Sequence, residues 1–176
     1  TAALDYSVNA AGVVDGELTT IVLTNKGTNY RQASNIRVDA FTSGQTVLQL
    51  SNTSLTLSVF SIPTLGNLSN LSITGTGLPT DAYISSISNT TGTITLSAAT
   101  TAAGGNANNI TISTRVYIFG DGIGAVASAV LSNTSSGVPA ASANVSKITV
   151  STIGSGYSRA NAYIYGSGSG AQARVI

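Results

Sequence analysis

Six side chains of this 176-residue chain can carry a carboxylate: Asp5, Asp15, Glu17, Asp39, Asp81 and Asp121. Histidine and cysteine are absent, which excludes Ser-His and Cys-His catalysis, imidazole or thiolate metal sites, and disulfides. Glycoside hydrolysis needs two carboxylates across a cleft. Only Asp15 and Glu17 are close in sequence, and a two-residue spacing on one strand face reads as a solvated turn edge. The run Gly120-Asp121-Gly122-Ile123-Gly124 has the glycine density of a phosphate or calcium loop. A dinucleotide loop opens a helix, whereas β signals flank this run on both sides. A calcium loop needs several oxygen donors with acidic residues among them, and Asp121 stands alone. The reading adopted is a tight glycine turn. No catalytic, cofactor-binding or metal-binding residue is assigned, no cofactor is expected, and the chain reads as a non-enzyme.

Tyrosines form the second group with chemical capacity. Tyr30 follows Gly27, and Tyr157 follows Gly154 and Gly156. Each is expected to lie over a sheet with its hydroxyl bonded to backbone. Tyr117, Phe119, Tyr163 and Tyr165 are expected on alternating faces of two related strands. One face of these segments is expected to enter the core and the other to meet a neighbour or an insertion. A sugar platform is the weaker reading. Seven N-x-S/T sequons occur, at Asn52, Asn67, Asn70, Asn89, Asn109, Asn133 and Asn144. Composition alone yields several, so glycosylation is not inferred.

The elements that position these residues are strands. Apolar residues alternate with threonine or serine at Leu55–Val59, Ile94–Leu96, Ile110–Ile112 and Ile148–Val150, and Ile21 and Leu23 alternate with Thr20, Val22 and Thr24, the period of a half-buried strand. Gly, Asn, Asp and Ser clusters punctuate the runs. The alanine-rich stretch Ala125–Leu131 has helix-forming composition, yet it repeats a later segment and lacks charged helix formers, so a strand is expected. Only 13 residues are charged, 7% against about 25% in a usual soluble domain. The seven Lys/Arg form no basic stripe, so no nucleic-acid partner is expected. No run of 18 apolar residues occurs, so no membrane insertion is expected either.

The chain repeats itself. YIFGDGIGAVASAV at 117–130 matches YIYGSGSGAQARVI at 163–176 at an offset of 46, with 7 of 14 positions identical. IVLTNKGTNYRQA at 21–33 matches ITVSTIGSGYSRA at 148–160 at an offset of 127. The unit is a strand, a G-x-x-Y turn, a second strand, a G-x-G-x-G-A turn and an alanine-rich strand. Its motif residues are Gly27, Tyr30, Gly120, Gly122, Gly124, Gly154, Gly156, Tyr157, Gly166, Gly168 and Gly170. The second copy is uninterrupted; the first is split after about Val38 and resumes at about Val116. The expectation is an all-β protein: an antiparallel sandwich or prism-like repeat domain from 1–38 and 116–176, with a small β domain of residues 39–115 inserted. Residues 1–8 look like the alanine-rich strand of a preceding copy, so the chain is expected to be a segment of a longer repeat-bearing protein.

The pattern I-x-V-x-x-x-G-S-G-Y-x-x-A followed by I-x-G-x-G-x-G-A-x-A resembles a glycine-tyrosine repeat of tailed-bacteriophage tail and baseplate proteins. Gly154, Gly156, Tyr157, Ala160, Gly166, Gly168, Gly170, Ala171 and Ala173 carry it, and Asn29 replaces the second turn glycine in the first copy. Residues 73–100 resemble a short β module of phage tail-fibre proteins, at Gly75, Gly77, Pro79, Ile84, Ile87, Leu96, Ser97 and Thr100. The resemblance implies a structural virion component, in a tail, baseplate or fibre attachment and so extracellular. Its implied partners are other virion proteins and further copies of itself. A carbohydrate-binding adhesin taking a host-surface glycan, or a secreted bacterial or archaeal surface-layer domain, is the alternative.

Overall fold

The structure, a computed structural model, describes residues 5–8, 14–51, 69–88, 90–105, 110–132 and 143–175. The strand expected at Leu55–Val59 lies outside them. The chain is all-β: every described element is a strand, and every pairing is antiparallel. In chain order the strands are β1 (Asp5–Val8), β2 (Val14–Glu17), β3 (Ile21–Thr28), β4 (Ala33–Ile36), β5 (Val47–Gln49), β6 (Ser72–Thr74), β7 (Ile84–Ser88), β8 (Thr93–Leu96), β9 (Ile110–Ser113), β10 (Arg115–Gly120), β11 (Ile123–Leu131), β12 (Val145–Ser155), β13 (Ala160–Tyr165) and β14 (Ser169–Val175). Ala125–Leu131 is strand, within β11.

The repeat segments build one body. A four-stranded sheet runs β12-β11-β10-β13, and β14 pairs with β3. β14 also lies along β13, and β3 along β12. The six strands therefore follow one another around a shared interior. Side chains at alternate positions fill it, as period two requires. Val116, Ala127, Tyr157, Ala160 and Val175 pack with Leu18 and Ile21 in one cluster, and Tyr30, Leu131, Ala143 and Val145 in another. Alanines at alternate positions of β11 and β14 keep the interior shallow, which leaves room for two tyrosine rings.

The intervening segment is a separate sandwich. Its sheets are β4-β9-β6 and β5-β8-β7. Both contribute to one core that includes Ile36, Ile73, Ile110 and Ile112 from the first sheet and Leu48, Ile84, Ile94 and Leu96 from the second. Phe41 lies against Gly77 and Gly104, where a Cβ would collide with the ring. Buried Thr100 is fully engaged, donating to the Thr42 carbonyl at 2.6 Å and accepting from the Gln45 amide at 3.0 Å. Ser97 accepts from the Tyr83 amide through its hydroxyl at 3.0 Å.

The passage between the two bodies lies nearer the glycine-tyrosine motif than Val38. β4 begins at Ala33 and pairs with β9, and Ile36 and Val38 bury in the sandwich core. Ala33 stands at the junction: it pairs with Ile112 and packs in the sandwich core while keeping its place in the repeat. Ala33 and Thr114 both correspond to Ala160, and all three are buried. The chain leaves the repeat after Ala33 and returns at Thr114, with residues 34–113 between. The alternation of Ile36 and Val38 suits a strand of either body, so sequence alone places the exit later. Arg115, the first residue after the return, stacks its guanidinium 3.6 Å from the Tyr83 ring of the sandwich and 5.1 Å from Tyr117.

Two outcomes follow. A chain with Ala33 joined directly to Arg115 should fold to a β protein with a cooperative thermal transition by circular dichroism; a random-coil spectrum would contradict the junction. Ile94→Ala in the sandwich core should lower stability by about 2–5 kcal/mol in urea titration.

Candidate functional site

The motif residues assemble into two clamps. In the first, the Tyr157 ring lies over Gly120, Gly122 and Gly154, and a Cβ on any of them would press into the ring or adjoining backbone. The ring is buried, and its hydroxyl accepts from the Ala125 amide at 3.4 Å. In the second clamp Tyr30 lies over Gly27, Gly166 and Gly168 and accepts from the Ala171 amide at 3.2 Å. The expected tyrosine over a sheet, bonded to backbone, is present twice. Asn29 occupies the place of Gly156, with φ of 63° and 74° respectively. Asparagine is the side chain that best tolerates this left-handed region, so the departure from the motif preserves the backbone.

Each clamp joins different copies. Tyr30 of the first copy grips the glycines of the second, and Tyr157 of the second grips those of the first. The registers agree residue for residue. In β11–β12, Ile123 faces Ser155, Ala125 faces Ile153 and Ala127 faces Val150, with an irregularity between Val126 and Ala127. In β14–β3, Ser169 faces Thr28, Ala171 faces Lys26 and Ala173 faces Leu23, with the irregularity between Gln172 and Ala173. The flanking bonds agree too: the Tyr157 amide donates to the Gly16 carbonyl at 3.0 Å, and the Tyr30 amide to the Ala143 carbonyl at 2.9 Å. In β10–β13 Tyr117 faces Tyr163, its own equivalent. An approximate two-fold axis passes between them.

That axis organises an aromatic face. Tyr117, Phe119, Tyr163 and Tyr165 share the outer side of β10 and β13, while Val116, Ile118, Ala162 and Ile164 turn inward. Tyr117 lies 6.5 Å from Phe119 and 6.3 Å from Tyr165, centroid to centroid. Phe119 is 56% exposed, Tyr163 51% and Tyr165 39%. At one end of this face a hollow of about 400 Å³ is lined by Phe119, Gly120, Asp121, Ser158, Arg159 and Asn161.

Asp121 latches the first clamp. Its carboxylate accepts from the Ser158 hydroxyl, and from the Ser158 and Arg159 amides at 2.9 Å each. The Ser158 hydroxyl, then the Arg159 and Ser158 amides, hold its pKa down at about 2. The second clamp carries Ser167 at the same place, donating to the Asn29 carbonyl at 3.4 Å.

The sequence motif led to the clamp residues, but spacing did not reveal that each clamp joins two copies. The adjacency of β11 and β12 in the chain was the available signal: a hairpin must bring Tyr157 to the first glycine run. Glu17 stands in register with Asp5, and Asp15 with Ser7; the side chains of Asp5 and Asp15 lie outside the described residues. Among the described residues, no three His, Cys, Asp or Glu side chains come together. No family model, curated protein or solved structure matches the chain.

Tyr157→Ala should cost about 3–5 kcal/mol of stability in denaturant titration. Gly122→Val should cost at least about 1–3 kcal/mol, because the ring cannot withdraw from a packed interior. Asp121 makes an acid-side contribution. Its folded pKa lies below the ordinary 3.8, so its stabilisation is present above that value and is lost as pH falls toward about 2. Asp121→Ser, which copies the second clamp, should flatten the fall in melting temperature between about pH 4 and pH 2. An unchanged slope would contradict the latch.

Proposed function

We propose that the chain is a non-enzymatic structural component of a bacteriophage virion, a tail, baseplate or fibre-attachment domain that packs against neighbouring subunits. The observation that carries this reading is the outward aromatic face in which Phe119, Tyr163 and Tyr165 are exposed around half-buried Tyr117, on a chain with only 13 charged residues. Aromatic side chains bring large apolar area to an interface at low entropic cost, and charge depletion marks interface cores. Both glycine-tyrosine copies and the tail-fibre-like segment 73–100 support the same setting. The closed strand ring suits a part that must hold its shape without disulfides.

A second reading, a carbohydrate-binding adhesin, is favoured by the hollow beside Phe119. There Asp121, Arg159 and Asn161 stand next to an exposed ring. An aromatic face with adjoining hydrogen-bonding groups is the chemistry that holds a sugar.

Mass spectrometry of purified phage particles separates the readings. Peptides of this chain should appear in stoichiometric amount with tail and baseplate proteins, and Phe119→Ser with Tyr163→Ser should reduce incorporation. Absence from particles, together with glycan-array binding abolished by Phe119→Ala, would overturn the structural reading in favour of the adhesin.

A further inference from the structure

We propose that β14 is an exchangeable closing strand: the β3 edge of one chain accepts β14 of a second copy, in the register it holds within a single chain. The inference stands on the two clamp registers and is independent of the virion reading.

Three observations carry it. The first is the connection. β11 and β12 are consecutive strands paired antiparallel, and Ala125 lies only 32 residues from Tyr157. The equivalent pair, Ala171 and Tyr30, lies 141 residues apart. The second clamp is therefore closed by strands that no local turn tethers to one another.

The second is the ladder. β14 pairs with β3 alone, as its own two-stranded sheet, and forms no ladder with β13, the strand it follows in the chain. Moving β14 breaks one ladder and leaves the sheet β12-β11-β10-β13 whole. The link that must open lies at Gly166 and Ser167, giving up the contact of Gly166 with Tyr30, while Gly168 travels with β14.

The third is the acceptor. β3 and Tyr30 select a strand with glycines at fixed places. A Cβ on Gly168 would meet the Tyr30 amide nitrogen at 2.6 Å and its ring at 2.7 Å. The Tyr30 hydroxyl accepts from the Ala171 amide at 3.2 Å, and Thr24 donates through its hydroxyl to the Gln172 carbonyl at 3.1 Å. A second copy presents the identical strand, so every one of these bonds re-forms in trans. Exchange of an identical element costs little beyond the hinge and the loss of independent motion, and concentration decides the balance.

Because the chain has no cysteine, pairing can be read by cross-linking. Val22 and Arg174 face each other across β3 and β14. Equimolar Val22→Cys chain and Arg174→Cys chain are unfolded together and refolded at high protein concentration. They are then oxidised or treated with a short bifunctional thiol reagent. Neither variant alone can form this cross-strand link. Exchange predicts a linked dimer amounting to about half of all dimers, the share random pairing gives. Adding Gly168→Val to the Arg174→Cys chain should lower that yield roughly tenfold or more, a loss of the size that overpacking produces. The doubly substituted chain should link internally at low concentration. Internal linking without any linked dimer in the mixture, at every concentration, would overturn the proposal. Absence of linking in the double variant would overturn it as well, since the register itself would then be missing.

Discussion

The repeat body depends on one steric relation: a tyrosine ring occupies the space where glycine side chains would begin. Gly120 and Gly122 under Tyr157, and Gly166 and Gly168 under Tyr30, let two backbones approach a ring so closely that no Cβ fits between. This fixes which strand lies next to which. It also fixes register, because a one-residue slip would place Asp121 or Ser167 under the ring in place of glycine. A hydroxyl bond to the backbone at Ala125 or Ala171 completes each clamp. Low charge and absent disulfides follow readily, since shape and backbone bonding define the fold.

Crossing the clamps between copies turns a repeat into a closed body. A single unit would leave its glycine run and its tyrosine unsatisfied at opposite ends. Two units satisfy each other, which is why the pairing of Tyr117 with Tyr163 falls on the axis. The copies are equivalent in backbone and unequal in chemistry. Asp121 accepts from three donors where Ser167 makes one weak bond, and the sandwich interrupts only the first copy. The aromatic face is therefore two-fold in shape, with a polar hollow at the Phe119 end and the Arg115–Tyr83 stack at the other.

Much of this was legible in the residues. Period-two alternation at Ile94–Leu96 and Ile110–Ile112 gave strands, and the offsets 46 and 127 gave the copies. Ala125–Leu131 became strand despite its composition, because an alanine-rich strand is what fits beside a buried ring. Other features were not legible. Which tyrosine meets which glycine run depends on the return of β14 to β3, a contact across most of the chain that no local spacing encodes. The exit at Ala33 was hidden because Ile36 and Val38 alternate as well for the sandwich as for the repeat. The outward placement of all four aromatics of β10 and β13 follows from pairing Tyr117 with Tyr163, and register across two distant strands is not written in either one alone.

The crossed clamp is the central claim, and double-mutant cycles test it most directly. Tyr30→Leu and Tyr157→Leu, which remove the ring, would each be combined with Gly122→Ala and with Gly168→Ala, and stability measured in urea. Crossed clamps should give coupling of about 0.5–3 kcal/mol for Tyr157 with Gly122 and for Tyr30 with Gly168, and additivity within about 0.5 kcal/mol for the other two pairs. Coupling of Tyr30 with Gly122, and none with Gly168, would mean that each copy closes on itself, and would contradict the account.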